Sequence, residues 1–146
     1  MKKGALLLFI LALMTSLSFT QEKKVVATKE APQALGPYSQ GIKAGGFVFT
    51  AGQISIDPAT GRLLEGDIKA QTERVMKNLS AILTAAGSSM DRVVKTTVYL
   101  RNLSDFTAMN EVYAQFFKNE PPSRSTVQVA ALPKDALVEI EAVALQ

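Results

Sequence analysis

PPSRSTVQVAALPKDALVEIEAVALQ, running from Pro121 to Gln146, holds two β-like runs joined by a tight connection. Ser123 to Ala130 is the first and Leu137 to Leu145 the second; Leu132-Pro133-Lys134-Asp135 supplies the turn between them. Strand side chains alternate between faces, so Leu137, Glu139 and Glu141 share one side and Val138, Ile140 and Ala142 the other. The first run carries a single arginine, Arg124. A guanidinium and two carboxylates are thus expected on neighbouring strands. An arginine that meets an anion with a fork of donors, beside an acid that handles a proton, outlines a reaction centre. The plainer alternative is a solvated sheet face decorated with surface charges.

Upstream, the chain reads as one α+β domain. Val25 to Ala27 suits a short edge strand, and Gly41 to Lys43 and Phe47 to Gln53 flank Ala44-Gly45-Gly46, a hairpin signal. Asp57-Pro58-Ala59-Thr60-Gly61 marks another turn. From Asp67 to Ala86, residues Ile68, Thr72, Val75, Leu79, Ile82 and Ala86 step by three and four, the period of one helix face, and Gly87 stops it. Arg92 to Arg101 alternates as a strand with Val94, Thr96, Val98 and Leu100 on one side. A second helix is expected from Ser104 to Phe117, with Ser104 as N-cap and Phe106, Met109, Tyr113 and Phe116 on its buried stripe. This order predicts a mixed sheet with two helices packed on one face. The other face, rich in valine and threonine, then needs a cover, which a homo-oligomer supplies.

Composition narrows the chemistry. The 146 residues contain no cysteine and no histidine, which removes disulfides, thiol nucleophiles, histidine bases, Ser-His-Asp triads and the common zinc sites. Residues 1–20 read as a secretory signal peptide, with Lys2 and Lys3 before an apolar run from Ala5 to Met14 and small or polar residues after it. Cleavage after Ser18 or Thr20 fits, leaving 21–146 as the domain, exported to the periplasm or medium and without stable membrane association. Beyond that leader 14 basic residues face 13 acidic ones, and no basic stripe interleaved with aromatics marks a nucleic-acid surface. Neither a glycine-rich dinucleotide fingerprint nor a phosphate loop occurs, so no cofactor is expected. Asn78-Leu79-Ser80 and Asn102-Leu103-Ser104 match the glycosylation sequon, and Asn78 falls inside a helix pattern, so both are read as chance.

Five blocks, in order, resemble the RidA (YjgF) family: Ala34 to Gly41, Thr50 to Ile54, Val94 to Val98, Asp105-Phe106 through Asn110, and the C-terminal stretch from Pro122 to Ala142. The resemblance implies a chorismate-mutase-like fold, a homotrimer, and sites in the clefts between subunits. It implies hydrolytic deamination of reactive enamines and imines, such as 2-aminoacrylate, 2-iminopropanoate and 2-iminobutanoate, to 2-oxo acids and ammonia, with no metal or organic cofactor. By the same resemblance Arg124 binds the substrate carboxylate, Glu139 handles the water or proton, and Asn110 lines the site. Alternation alone does not choose between Glu139 and Glu141. Tyr38 follows Gly36-Pro37, a rigid turn that can present its ring and hydroxyl to a cleft, the alternative being a core tyrosine. Gly52 can let a ligand approach its backbone N–H. Thr126 stands where many family members carry cysteine and retains a hydroxyl donor. The competing reading is a non-catalytic trimer that binds small carboxylates or holds unfolded chains.

Overall fold

The computed structural model describes residues 22–146, so the signal-peptide reading of residues 1–20 lies outside the described residues. Six strands form one sheet: β1 (Lys24–Val26), β2 (Gly41–Ala44), β3 (Phe47–Thr50), β4 (Val93–Leu100), β5 (Ser123–Gln128) and β6 (Val138–Leu145). Two helices, α1 (Ile68–Ala85) and α2 (Phe106–Tyr113), alternate with the later strands. The sheet order is β1-β2-β3-β6-β4-β5, antiparallel everywhere except the β4–β5 pair. The C-terminal strand therefore inserts between β3 and β4. Its inward residues Val138, Ile140, Ala142 and Ala144 lie at the centre of the core, as their alternation predicts.

Each element has a local cause. The β2–β3 hairpin turns through Gly45 and Gly46, both at positive φ, which the twist-matched two-residue turn requires. Helix α1 starts where the Asp67 side chain accepts from the Ala70 amide at 2.9 Å. It ends where Gly87 takes a left-handed conformation and the Ser88 amide reaches back to the Leu83 carbonyl. Its buried stripe holds Ile68, Thr72, Val75, Leu79, Ile82 and Ala86, all expected from the 3.6-residue period. Asn78, first residue of one sequon, is buried and donates to the Ile54 and Ile56 carbonyls. Among the described residues no helix is long and apolar enough to cross a membrane.

Three expectations shift. A β-bulge between Val93 and Lys95 puts Val93 in the core and leaves Val94 exposed, so the strict alternation read from Val94 fails at its first residue. Helix α2 is shorter than Ser104 to Phe117. Single 3₁₀ turns flank it, and the Asn102 side chain, not Ser104, accepts the capping bond, from the Ser104 amide. The tighter turn after Tyr113 carries Phe117 into the core in place of Phe116. Finally, the helix-free face presents more than valine and threonine: Val25, Phe47, Phe49, Val127 and Leu145 stand between 37% and 64% exposed.

Candidate functional site

Where the chain leaves β3 it continues beside β6, bridging at Gln53 and Ile140, and helps to wall a cavity of about 460 Å³. Tyr38, Gly52, Pro133 and Glu139 line it, together with apolar Leu35, Ile54 and Ile56. The Gly36-Pro37-Tyr38 turn closes on itself, the Tyr38 amide donating to the Gly36 carbonyl at 2.8 Å. The Tyr38 hydroxyl accepts from the Leu35 amide at 3.1 Å, which orients the phenol and leaves its own proton free. Tyr38 is 51% exposed, so it is not a core residue.

Glu139 is fixed by backbone. Gln53 and Ile140 exchange both main-chain hydrogen bonds, at 2.9 and 3.1 Å, locking the Gly52-Gln53 segment beside β6. The Glu139 carboxyl folds across Gly52, and a Cβ built there would lie 2.8 Å from its Cδ and overlap its Oε1. Only glycine leaves that space, so Gly52 serves the acid at least as much as a ligand. Gly52→Ala is expected to keep the fold and to displace Glu139, lowering activity by about tenfold or more; crystal structures of the variant beside its kinetics check this.

Among the described residues the Glu139 carboxyl forms no ion pair or hydrogen bond. Burial, and secondarily the charge of Glu141, push its pKa above the usual carboxylate value. A raised folded-state pKa favours the protonated form, so this group's contribution to stability is present at acidic pH and is lost as pH rises through the folded value. Glu139→Gln, which cannot ionise, is expected to raise the melting temperature at pH 7 and to give no gain below the ordinary glutamate pKa. Thermal melts across pH measure the difference.

Arg124 stands elsewhere. In the parallel pair it sits opposite Thr96, which pairs with buried Ala142, so its side chain emerges on the helix side of the sheet. There its guanidinium lies 4.6 Å from the Tyr113 ring centroid and 5.6 Å from that of Phe106. Cation–π contact holds the planar group against the two rings. Tyr113 is itself anchored, its hydroxyl 2.7 Å from Thr96 Oγ1. Asn110 lies on the same helix stripe as Phe106 and Tyr113, four residues after one and three before the other. Thr126, two residues beyond Arg124, carries a buried hydroxyl with no partner among the described residues, a donor available to a ligand.

The residues thus fall into two groups. Tyr38, Gly52 and Glu139 share the cavity; Arg124, Asn110 and Thr126 share the helix side of the β5 edge. The expected adjacency of guanidinium and carboxylates fails within one chain for two reasons. Strand β4 lies between β5 and β6, and Thr96 pairs with Arg124 while Thr97 and Tyr99 pair with Glu141 and Glu139. Arginine and acids therefore face opposite sides. Sequence reasoning also placed Phe106 and Tyr113 only in the core and passed over Tyr99. The signal for the first two was their helical spacing with Asn110.

A two-layer α+β protein with a half-buried carboxyl in a cavity and an arginine seated on aromatic rings at a sheet edge is the class defined by fold and geometry. The family model described as Endoribonuclease L-PSP matches residues 28–146, and the chain belongs to that family, the RidA (YjgF) family. It is 57% identical over 122 residues to a RutC family protein of Pyrococcus horikoshii, covering 84% of this chain and 97% of that one. Human 2-iminobutanoate/2-iminopropanoate deaminase is 45% identical over 124 residues, covering 85% and 90%. The crystal structure of Escherichia coli TdcF with bound serine superposes with a TM-score of 0.81 at 46% identity, covering 84% and 98%.

Proposed function

We propose that the protein hydrolyses reactive 2-enamino and 2-imino acids, among them 2-aminoacrylate, 2-iminopropanoate and 2-iminobutanoate, to 2-oxo acids and ammonia. The observation that carries this reading is Glu139: a half-buried carboxyl, unpaired among the described residues, at the wall of a cavity, with its pKa raised first by burial and then by the charge of Glu141. The relationship to a human protein named for this reaction supports it. Arg124 takes the substrate carboxylate through two parallel hydrogen bonds. The Glu139 proton passes to C3 of the enamine as the nitrogen lone pair forms the C=N bond. Water then attacks C2 and gives a proton to the Glu139 carboxylate. The carbinolamine collapses with that proton transferred to nitrogen; ammonia leaves, and the hydroxyl proton returns to Glu139. Such substrates already react with water, so orientation and one mobile proton suffice.

Because the two half-sites face opposite sides of one sheet, the working site joins the Glu139 half of one copy to the Arg124 half of another. Two different patches meeting head to tail generate a ring when the rotation between copies closes, and the closed trimer is the assembly we propose. The exposed aromatic and aliphatic residues of the open sheet face are the surface it covers. Export through the leader read at residues 1–20 belongs to the same proposal: protein recovered from the periplasm or medium should begin at Gln21 or Phe19, and an intact Met1 in the cytosol would contradict it.

A coupled assay tests the reaction. An amino-acid oxidase generates imines, and their disappearance is followed with and without the purified protein. Faster clearance supports the hydrolase. Unchanged clearance with saturable binding of small carboxylates supports the non-catalytic reading, which the serine bound to E. coli TdcF favours. Ribonuclease chemistry, named in the family's description, has less behind it here, since the chain lacks histidine and its basic residues are dispersed among acids.

A further inference from the structure

Glu141 is the carboxylate that the proposed reaction leaves idle. It lies two residues beyond Glu139 on β6, so the two side chains leave the same sheet face about 7 Å apart. Strand β4 runs opposite, with Tyr99 in register with Glu139 and Thr97 with Glu141. Instead of meeting its own register partner, the Tyr99 hydroxyl points to Glu141, 3.5 Å from Oε1. One acid of the pair therefore has a donor beside it, and the other has none among the described residues.

We propose that Glu141, tethered by Tyr99, is a positioning residue: the fixed negative charge that makes Glu139 the proton-carrying member of the pair. This deepens the deaminase reading and rests on it for its purpose, though not for its physics. A like charge on the same half-buried face disfavours ionisation of its neighbour, and the carboxyl lacking a donor is the one it disfavours more. The upward displacement of Glu139, to which Glu141 contributes after burial, and that of Tyr99, which burial and both acids raise, agree with a shared negative charge at this spot.

Few other groups face the pair. On β4 the remaining ionisable residue of this side is Lys95, which is opposite Val143 and, among the described residues, forms no ion pair with Glu141. Strand β3 presents Phe47 and Phe49, and the Gly52-Gln53 segment is uncharged. Tyr38 lines the same cavity. Arg124 leaves the opposite side of the sheet, and a guanidinium or substrate contributed by a second copy would be common to every variant compared.

The test is titration of Glu139 in the intact oligomer, read by isotope-edited NMR of its carboxyl carbon, beside the pH profile of imine clearance. Glu141→Gln removes the charge at nearly constant shape, and the Glu139 titration and the matching limb of the profile should both move to lower pH. The direction is the same whether Glu139 acts as acid or base, because losing a neighbouring negative charge eases ionisation. Glu141→Asp keeps the charge and should restore the limb toward its original position, which a purely structural role would not do. Tyr99→Phe removes the tether, and the Glu139 titration should shift and broaden as Glu141 loses its fixed place. If Glu139 titrates identically in the parent and in Glu141→Gln, the proposal is overturned. Should Glu141→Gln not fold, a Glu139 titration unmoved in both Glu141→Asp and Tyr99→Phe overturns it equally. Failure of the deaminase reading registers separately, as absence of imine clearance by the parent, and leaves the NMR comparison intact.

Discussion

Glu139→Gln should cost the protein about a hundredfold or more in turnover, the scale expected when a positioned proton donor is lost. The amide keeps the shape that Gly52 accommodates, so the sheet and the cavity should persist. Ligand affinity should change little, because Arg124, the proposed carboxylate anchor, is on another strand. The oxidase-coupled assay supplies kcat and KM separately. A fall in kcat with KM nearly constant is the expected pattern, and an equal rise in KM would instead assign Glu139 to binding.

Arg124→Lys should lower kcat/KM by at least about tenfold, a loss of about 1.4 kcal/mol or more of transition-state stabilisation. The charge survives, but an ammonium presents no planar fork to the carboxylate and cannot stack as a flat group between Tyr113 and Phe106. The loss should appear mainly in KM. Because the Arg124 guanidinium makes no ion pair among the described residues, its removal leaves no orphaned carboxylate behind, and the melting temperature should move little. A large drop in melting temperature would mean that Arg124 holds the fold together and that the kinetic loss is indirect.

Much of this architecture is written in local pattern. The period of α1, the two glycines of the β2–β3 turn and the alternation of β6 each follow from neighbouring residues, and the structure places them as read. Pairings made at long range were not legible. Ser123 to Gln128 and Val138 to Leu145 are consecutive strands with a short connection, and a hairpin is the simplest expectation; β4, which precedes both, separates them. That insertion decides the site. With β4 between them, the alternation that groups Glu139 with Glu141 sends Arg124 to the other side of the sheet. Smaller departures share the cause of register: one bulge residue moves Val94 out of the core, and one tight turn exchanges Phe116 for Phe117. The aromatic seat of Arg124 was hidden for a different reason, since Phe106 and Tyr113 read as ordinary core residues on a helical stripe, and only the β5 edge reveals what lies over them.

In the proposed assembly one site takes its acid from one copy and its arginine from another. Mixing two inactive variants tests this most directly. Glu139→Gln and Arg124→Ala are each assayed alone, then co-refolded in equal amounts, purified as the oligomer and assayed again. Random assembly pairs an intact Arg124 half with an intact Glu139 half in about a quarter of the sites of a cyclic oligomer. Recovery of about that fraction of parental imine clearance is the predicted result. Mixed oligomers no more active than the two variants alone would contradict the account.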